Sequence, residues 1–299
     1  MHTHDHGKDD SSRRIGLVFF LNLGFTIIEF IGGWLTNSTA IMADAVHDLG
    51  DSLSIGSAWL LNRLGRKDPS DDFSYGYRRF SLFGALINGL VLLAGSAWVL
   101  KEAVPRLFDP VMPMTEGMLV LAVFGVIVNG FAAWRLMGGK SLNEKVLNWH
   151  LMEDVLGWLA VLIVATIMQF VAWPILDPLL SIGFTLFILI NVVRNLWATG
   201  KLFFQAVPDR QLRQTIESAL LRIPGIQAIH HLHLWSLDGE HHVLTAHVVA
   251  DDPDDSDHHL QLKADIAEVL AQFELQHTTI EIELSRENCR DDDCRTSRN

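Results

Sequence analysis

The chain has 299 residues, 49% of them hydrophobic and 19% charged, with a formal net charge of −12. That charge content is below the roughly 25% of a soluble domain, and both cysteines lie in the C-terminal tail. Disorder, a disulfide scaffold and nucleic-acid binding, which needs a basic footprint, are excluded.

Residues 1–14 form a polar tail that begins MHTHDHG. His2, His4 and His6 alternate there, and read either as an inert solvated tail or as a mobile zinc collector. Residues 15–206 then hold six apolar runs, at 15–35, 41–64, 80–104, 115–138, 145–171 and 175–200. Each is close to or above the roughly 20 residues that cross about 30 Å of hydrocarbon. The first run has no small-residue cleavage pattern and five similar runs follow it, so it reads as a span and not a signal peptide. The second and fifth runs are interrupted by acids and histidine. Basic residues gather before the first run (Lys8, Arg13, Arg14), between the second and third (Arg63, Arg66, Lys67, Arg78, Arg79) and around the fourth connection (Arg135, Lys140, Lys145). The first and fifth connections have none, and the third has Arg106 with Lys101 near the helix end. This bias predicts cytoplasmic N- and C-termini.

After Pro208 the apolar runs shorten and charge rises. Residues 209–222 read as an amphipathic helix. Strands are expected at 226–237 and 241–250 around the hairpin signal Asp238-Gly239. A helix is expected near 257–273 and a strand at 277–284. The α-β-β-α-β order gives 207–285 as a small α+β domain, and 286–299 as a tail that carries Cys289 and Cys294. A disulfide does not suit the cytoplasmic side. The two thiolates are expected to contribute to a zinc site at the domain edge, with His277 or a tail histidine as partner. Strand alternation places His231, His233 and Trp235 on one face of the first strand, and His230 on the other with Leu232 and Leu234.

Of the fourteen histidines, His47 and His150 lie within apolar runs. Each is followed four residues later by an aspartate, Asp51 and Asp154, and positions i and i+4 share a helix face about 6 Å apart. Both pairs lie about ten residues into antiparallel runs, which at about 1.5 Å per residue brings them to mid-membrane. Two imidazole nitrogens and two carboxylate oxygens at one depth suit tetrahedral Zn²⁺, whereas Mg²⁺ and Ca²⁺ want more oxygens. An aspartate at a helix centre costs about 2.5–3.5 kcal/mol on insertion scales. Two such acids, each with a histidine at one spacing, point to metal transport over helix packing. Asp44 shares the stripe of His47 and Asp51. Asp44 and Glu29 are expected to line a water-filled approach. No HExxH or GxxxxGK[ST] motif occurs, so a zinc peptidase and an ATP-driven pump are unsupported.

At ADAVHDLGD (43–51) and HLMEDVLGW (150–158) the chain resembles the cation diffusion facilitator family, in particular its bacterial zinc-transporting branch. GGWLTNSTAIMADAVHD, HHLHLW (230–235) and HTTIEIE (277–283) with the terminal cysteine pair add to the resemblance, which covers about residues 12–294. It implies a homodimeric proton-coupled antiporter with six transmembrane helices and a cytoplasmic ferredoxin-like, metallochaperone-like domain. It implies His47, Asp51, His150 and Asp154 as transport ligands for zinc and often cadmium. It also matches His230, His247 and Glu283 to positions where relatives bind regulatory zinc, and His233 to a stretch of structural character. Arg79 and Asp209 match a charge pair of some relatives and are expected to form an ion-pair hinge at the cytoplasmic face. The second connection, DPSDDFSYGYRRF, has no histidine, so the extra loop site of some relatives is not expected.

The expectation is therefore a membrane protein with a six-helix all-α transmembrane domain and a cytoplasmic α+β domain. It is expected in the inner membrane as a zinc efflux antiporter, without enzymatic activity or an organic cofactor. A membrane zinc sensor without flux is the alternative.

Overall fold

A computed structural model describes residues 6–64, 69–136, 142–251, 256–287 and 289. Helices α1 (His6–Thr36), α2 (Thr39–Leu64), α3 (Phe80–Ala103), α4 (Thr115–Leu136), α5 (Leu142–Phe170) and α6 (Leu176–Phe203) come first. Helix α7 (Arg210–Leu220), strands β1 (Ile226–Ser236) and β2 (His242–Ala250), helix α8 (Ser256–Leu270) and strand β3 (Leu275–Leu284) follow. Every element expected from the sequence is present, and α1 runs about two turns further toward the N-terminus than its apolar run. The chain divides into two compact units, residues 1–63 with 84–197 and residues 64–83 with 198–299.

In the first unit, α1, α3, α4, α5 and α6 are long and apolar enough to cross a membrane. Helix α2 falls short of that standard because Asp44, Asp48 and Asp51 interrupt it. Large apolar side chains such as Ile127, Leu156, Phe187 and Trp197 are exposed on its outside, the inverse of a water-soluble core. Ile41, Met118, Ala122, Trp158, Val161 and Ala165 form a buried cluster joining α2, α4 and α5. Gly125 makes that junction close: a Cβ there would meet the Trp158 ring at 2.2 Å.

The α1–α2 reversal follows from its residues. Asn37 takes φ 54°, which asparagine tolerates better than most residues. Ser38 N donates to Gly33 O at 3.0 Å and Asn37 N to Trp34 O at 3.2 Å, a paired helix stop. Ser38 then starts α2, its hydroxyl accepting from Ile41 N at 3.2 Å. Arg106 holds the reversal from outside, donating to Asn37 O and Oδ1 at 2.8 Å each.

In the second unit the strand order is β1-β2-β3, with β1 and β2 antiparallel and β2 and β3 parallel. Helix α8 supplies the crossover that parallel strands need. Ile216 and Leu220 of α7 and Leu262, Ile266 and Leu270 of α8 bury one sheet face with Leu232, Leu234, Leu244, Ala246 and Val248. The other face carries the polar chemistry. The β1–β2 register shifts between His230 and His233, where His231 takes φ 50°. This bulge corrects the expected alternation. One extra residue moves His230 off the face of Leu232 and Leu234 and onto the polar face, opposite His247.

Candidate metal centres

The first centre is built from two helices of the first unit. His47 and Asp51 project from one face of α2 and His150 and Asp154 from α5. His150 Nε2 is 3.0 Å from Asp51 Oδ2, His47 Nε2 is 3.7 Å from Asp51 Oδ2, and His47 Nε2 is 4.0 Å from Asp154 Oδ1. The two imidazole rings are 5.7 Å apart and near perpendicular. His47, Asp51 and His150 each offer a ligand atom within 4.8 Å of the others. A tetrahedral zinc with ligands at about 2.0–2.3 Å holds them about 3.3–3.8 Å apart, so these side chains need move little to close on an ion. Asp51 Oδ2 is buried and lies at ion-pair distance from both imidazoles, yet it receives no hydrogen bond. An orphaned carboxylate oxygen between two imidazoles fits a cation as its missing partner.

Asp44 and Glu29 depart from expectation. They do not line a water-filled approach in this structure: they are 7% and 1% exposed. The cause is helix packing. Asp44 lies against α5, where its Oδ1 is 3.6 Å from the Cβ position of Gly157. Glu29 is enclosed beside the Asp48 carboxyl.

Sequence reasoning does not single out Asp177, which lies inside the apolar run at 175–200. It is 1% exposed. Its carboxylate accepts from the Ser38 hydroxyl at 2.5 Å, Thr39 N and the Thr39 hydroxyl at 2.8 Å each, and Ala40 N at 3.3 Å. Asp177 on α6 therefore caps α2, the helix that carries His47 and Asp51, at its positive end. The available signal was an acid placed directly before a proline at the start of an apolar run.

The second centre lies on the polar sheet face. Glu283 joins two histidines, with Oε2 2.9 Å from His230 Nε2 and Oε1 2.7 Å from His247 Nδ1. Cys289 Sγ is 3.7 Å from His247 Nδ1. The four residues each offer a ligand atom within 4.8 Å of the others. Two imidazoles, a carboxylate and a thiol make a closed four-donor set of the kind zinc takes in structural sites. Burial alone would raise the Glu283 carboxyl, but hydrogen bonds and charge from His247 and His230 hold it below the ordinary glutamate value.

Other expected residues stand apart from both centres. His277 meets the Tyr75 ring edge to face, with ring centroids 5.1 Å apart, and His233 is exposed opposite Thr245. Cys294, His2 and His4 lie outside the described residues, and His6 is described by its backbone at the start of α1. Arg79 and Asp209 are not brought together. Asp209 is occupied as the N-cap of α7, accepting from Gln211 N at 2.7 Å, and among the described residues no ion pair joins it to Arg79.

The cation efflux transmembrane domain family matches residues 15–203, and the cation efflux protein cytoplasmic domain family matches residues 208–285. The "Cadmium, cobalt and zinc/H(+)-K(+) antiporter" of Bacillus subtilis is 31% identical over 292 residues, covering 95% of this chain and 93% of that protein. "Zinc transporter ZitB" of Pectobacterium atrosepticum is 31% identical over 301 residues, covering 98% and 91%. "Metal cation efflux system protein CzcD" of Cupriavidus metallidurans is 31% identical over 288 residues, covering 95% and 90%. With both domain families matched in order along the chain and the His-Asp pairs of α2 and α5 meeting as described, the protein belongs to the cation efflux, or cation diffusion facilitator, family, in its bacterial zinc-transporting branch.

Proposed function

We propose that the protein is a proton-coupled antiporter that moves zinc, and also cadmium, out of the cytoplasm. The observation that carries this is the meeting of His47, Asp51, His150 and Asp154 from two helices, with an orphaned carboxylate oxygen between the imidazoles. The names of the relatives point the same way. Imidazole and carboxylate bind zinc when deprotonated, so protons and zinc compete for one site. Alternating access then needs α2 and α5 to rock against the other helices, exposing the site to one face at a time.

Finer readings follow from this one. Helix α2 spans the membrane with its acids turned inward, which makes six crossings. The basic connections put both termini on the cytoplasmic face of the inner membrane. The chain works as a homodimer, as the dimerisation name of its cytoplasmic domain family suggests. His230, His247, Glu283 and Cys289 hold a regulatory zinc, and the His2, His4 and His6 tail collects the ion at the cytoplasmic mouth. The test is purified protein in sealed liposomes with a trapped zinc dye. Zinc entry that is lost in Asp51→Ala and Asp154→Ala is expected. Zinc binding without entry would instead make the protein a membrane sensor.

A further inference from the structure

The connection between α2 and α3 belongs by its contacts to the compact unit of the cytoplasmic domain, although the chain continues from it directly into α3. Arg78 of that connection places Nη1 2.7 Å from His241 Nε2, in the β1–β2 turn. His241 Nδ1 is in turn 2.7 Å from Asp238 Oδ2. Asp238 Oδ1 accepts from His241 N at 2.8 Å and Glu240 N at 3.0 Å, which fixes the carboxylate in the turn.

Donor and acceptor roles settle the protonation of the ring. A guanidinium can only donate, so His241 Nε2 must accept, and the ring proton sits on Nδ1, where it is donated to Asp238. The contact therefore requires neutral imidazole. A proton taken from cytoplasmic water would place an N–H on Nε2, aimed at the N–H of Arg78. Two donors and two positive charges would then face each other. Asp238 stays ionised, because the backbone and side-chain donors of the turn outweigh the effect of burial and hold it below the ordinary aspartate value. The imidazolium keeps that partner, so the ring remains with the turn and Arg78 is the group released.

Arg78 and Asp238 face the ring. Glu240 and His242 flank it in the chain, and Leu202 of α6 approaches the turn at Gly239, with Lys201 beside it. We propose that Arg78, His241 and Asp238 form a cytoplasmic proton switch, in which the α2–α3 connection is docked on the β1–β2 turn while His241 is neutral and released when it is protonated. Since α2 carries His47 and Asp51, release slows turnover. Proton import would then limit itself. This consequence for flux rests on the antiport reading, whereas the docking step does not.

Hydrogen exchange on the full chain in detergent, corrected for intrinsic rates, tests the docking. Residues 69–79 are expected to exchange about tenfold faster at pH about 6 than at pH about 8, the range in which imidazoles titrate. His241→Gln keeps an acceptor for Arg78 that cannot be protonated, and should hold the segment protected at both values. Arg78→Gln should leave it fast at both. A pH step that persists in either variant, or is missing from the wild type, overturns the switch. In liposomes with the pH difference across the membrane held constant, zinc turnover should fall more steeply on acidifying the cytoplasmic face in the wild type than in His241→Gln, where only competition at the transport site remains. A chain with the exchange step but no zinc flux at all would defeat the antiport reading and leave the switch standing.

Discussion

Four donors surround the Asp177 carboxylate, whereas Asp51 Oδ2 has no hydrogen bond. On the proposed reading, the contrast separates a residue that stabilises the fold from one that binds the transported ion. Asp177→Ala would strand two backbone N–H groups and two hydroxyls in a buried site. The expected loss is about 3–5 kcal/mol, as for removing one side of a buried charged network. Asp177→Asn should lose less, because its amide oxygen still accepts. Thermal unfolding in detergent measures both, and an unchanged melting temperature for Asp177→Ala would count against the cap. Asp51→Ala should behave in the opposite way. It removes a carboxylate whose buried Oδ2 has no hydrogen bond, so zinc-free stability should hold or rise while zinc flux is abolished, the usual trade at a functional site. A large drop in zinc-free melting temperature would mean that Asp51 serves the fold. The proposed ligands were legible as pairs in the sequence because a histidine and an aspartate four apart declare a shared helix face by themselves. Asp177 was not legible, because its partners lie 137–139 residues away and no local period records them.

Helix α5 is placed by its fit against α4, and Gly125 sets that fit under Trp158. Trp158 lies one turn beyond Asp154, so whatever displaces the indole also displaces a proposed ligand. Gly125→Ala is expected to cost about 1–3 kcal/mol through overpacking and to reduce zinc flux with it. Retained stability and flux would mean that the helices separate freely at this point. In the cytoplasmic domain the element most open to test is the β1–β2 turn. Because the Asp238 carboxyl lies below its ordinary value, it contributes stability above the ordinary carboxylate range, and that contribution is lost as pH falls through the lowered value. Asp238→Asn should therefore destabilise the domain at neutral pH, and its gap to the wild type should close under acid. Denaturation of both chains across pH decides this, and a constant gap would remove the carboxylate charge from the account. The strands themselves were legible from alternation and the Asp238-Gly239 signal. The bulge at His231 was not. A period of two carries no mark of an inserted residue, and His230, His231 and His233 read equally well with either face inward.

At the scale of the molecule, composition changes after Pro208, and the two family matches divide between residues 203 and 208. Exposed tryptophans gather near the helix ends. Trp34 and Trp173 lie at the ends of α1 and α5 and are exposed, as are Trp134, Trp149 and Trp197 at the end of α4, the start of α5 and toward the end of α6. For helices that cross in alternate directions, the first two share one interface and the other three share the opposite one, where indoles settle in bilayers. The basic connections lie on the side of the second group. A chain oriented this way can couple zinc to protons if each displaces the other at His47, Asp51, His150 and Asp154. The coupling has a quantitative signature. One pH unit is worth about 1.4 kcal/mol per proton, so each proton exchanged should raise the zinc accumulation ratio about tenfold per unit of pH difference once voltage is clamped. Liposomes with the voltage held at zero, a trapped zinc dye and a trapped pH dye read both sides of the exchange. Accumulation should fall as the pH of the opposite face is raised toward that of the cytoplasmic face, and the slope of its logarithm against the pH difference gives the proton count. A ratio that ignores the pH difference, with no answering movement of protons, would make the protein a zinc uniporter and leave the competition at the four ligands without a role in transport.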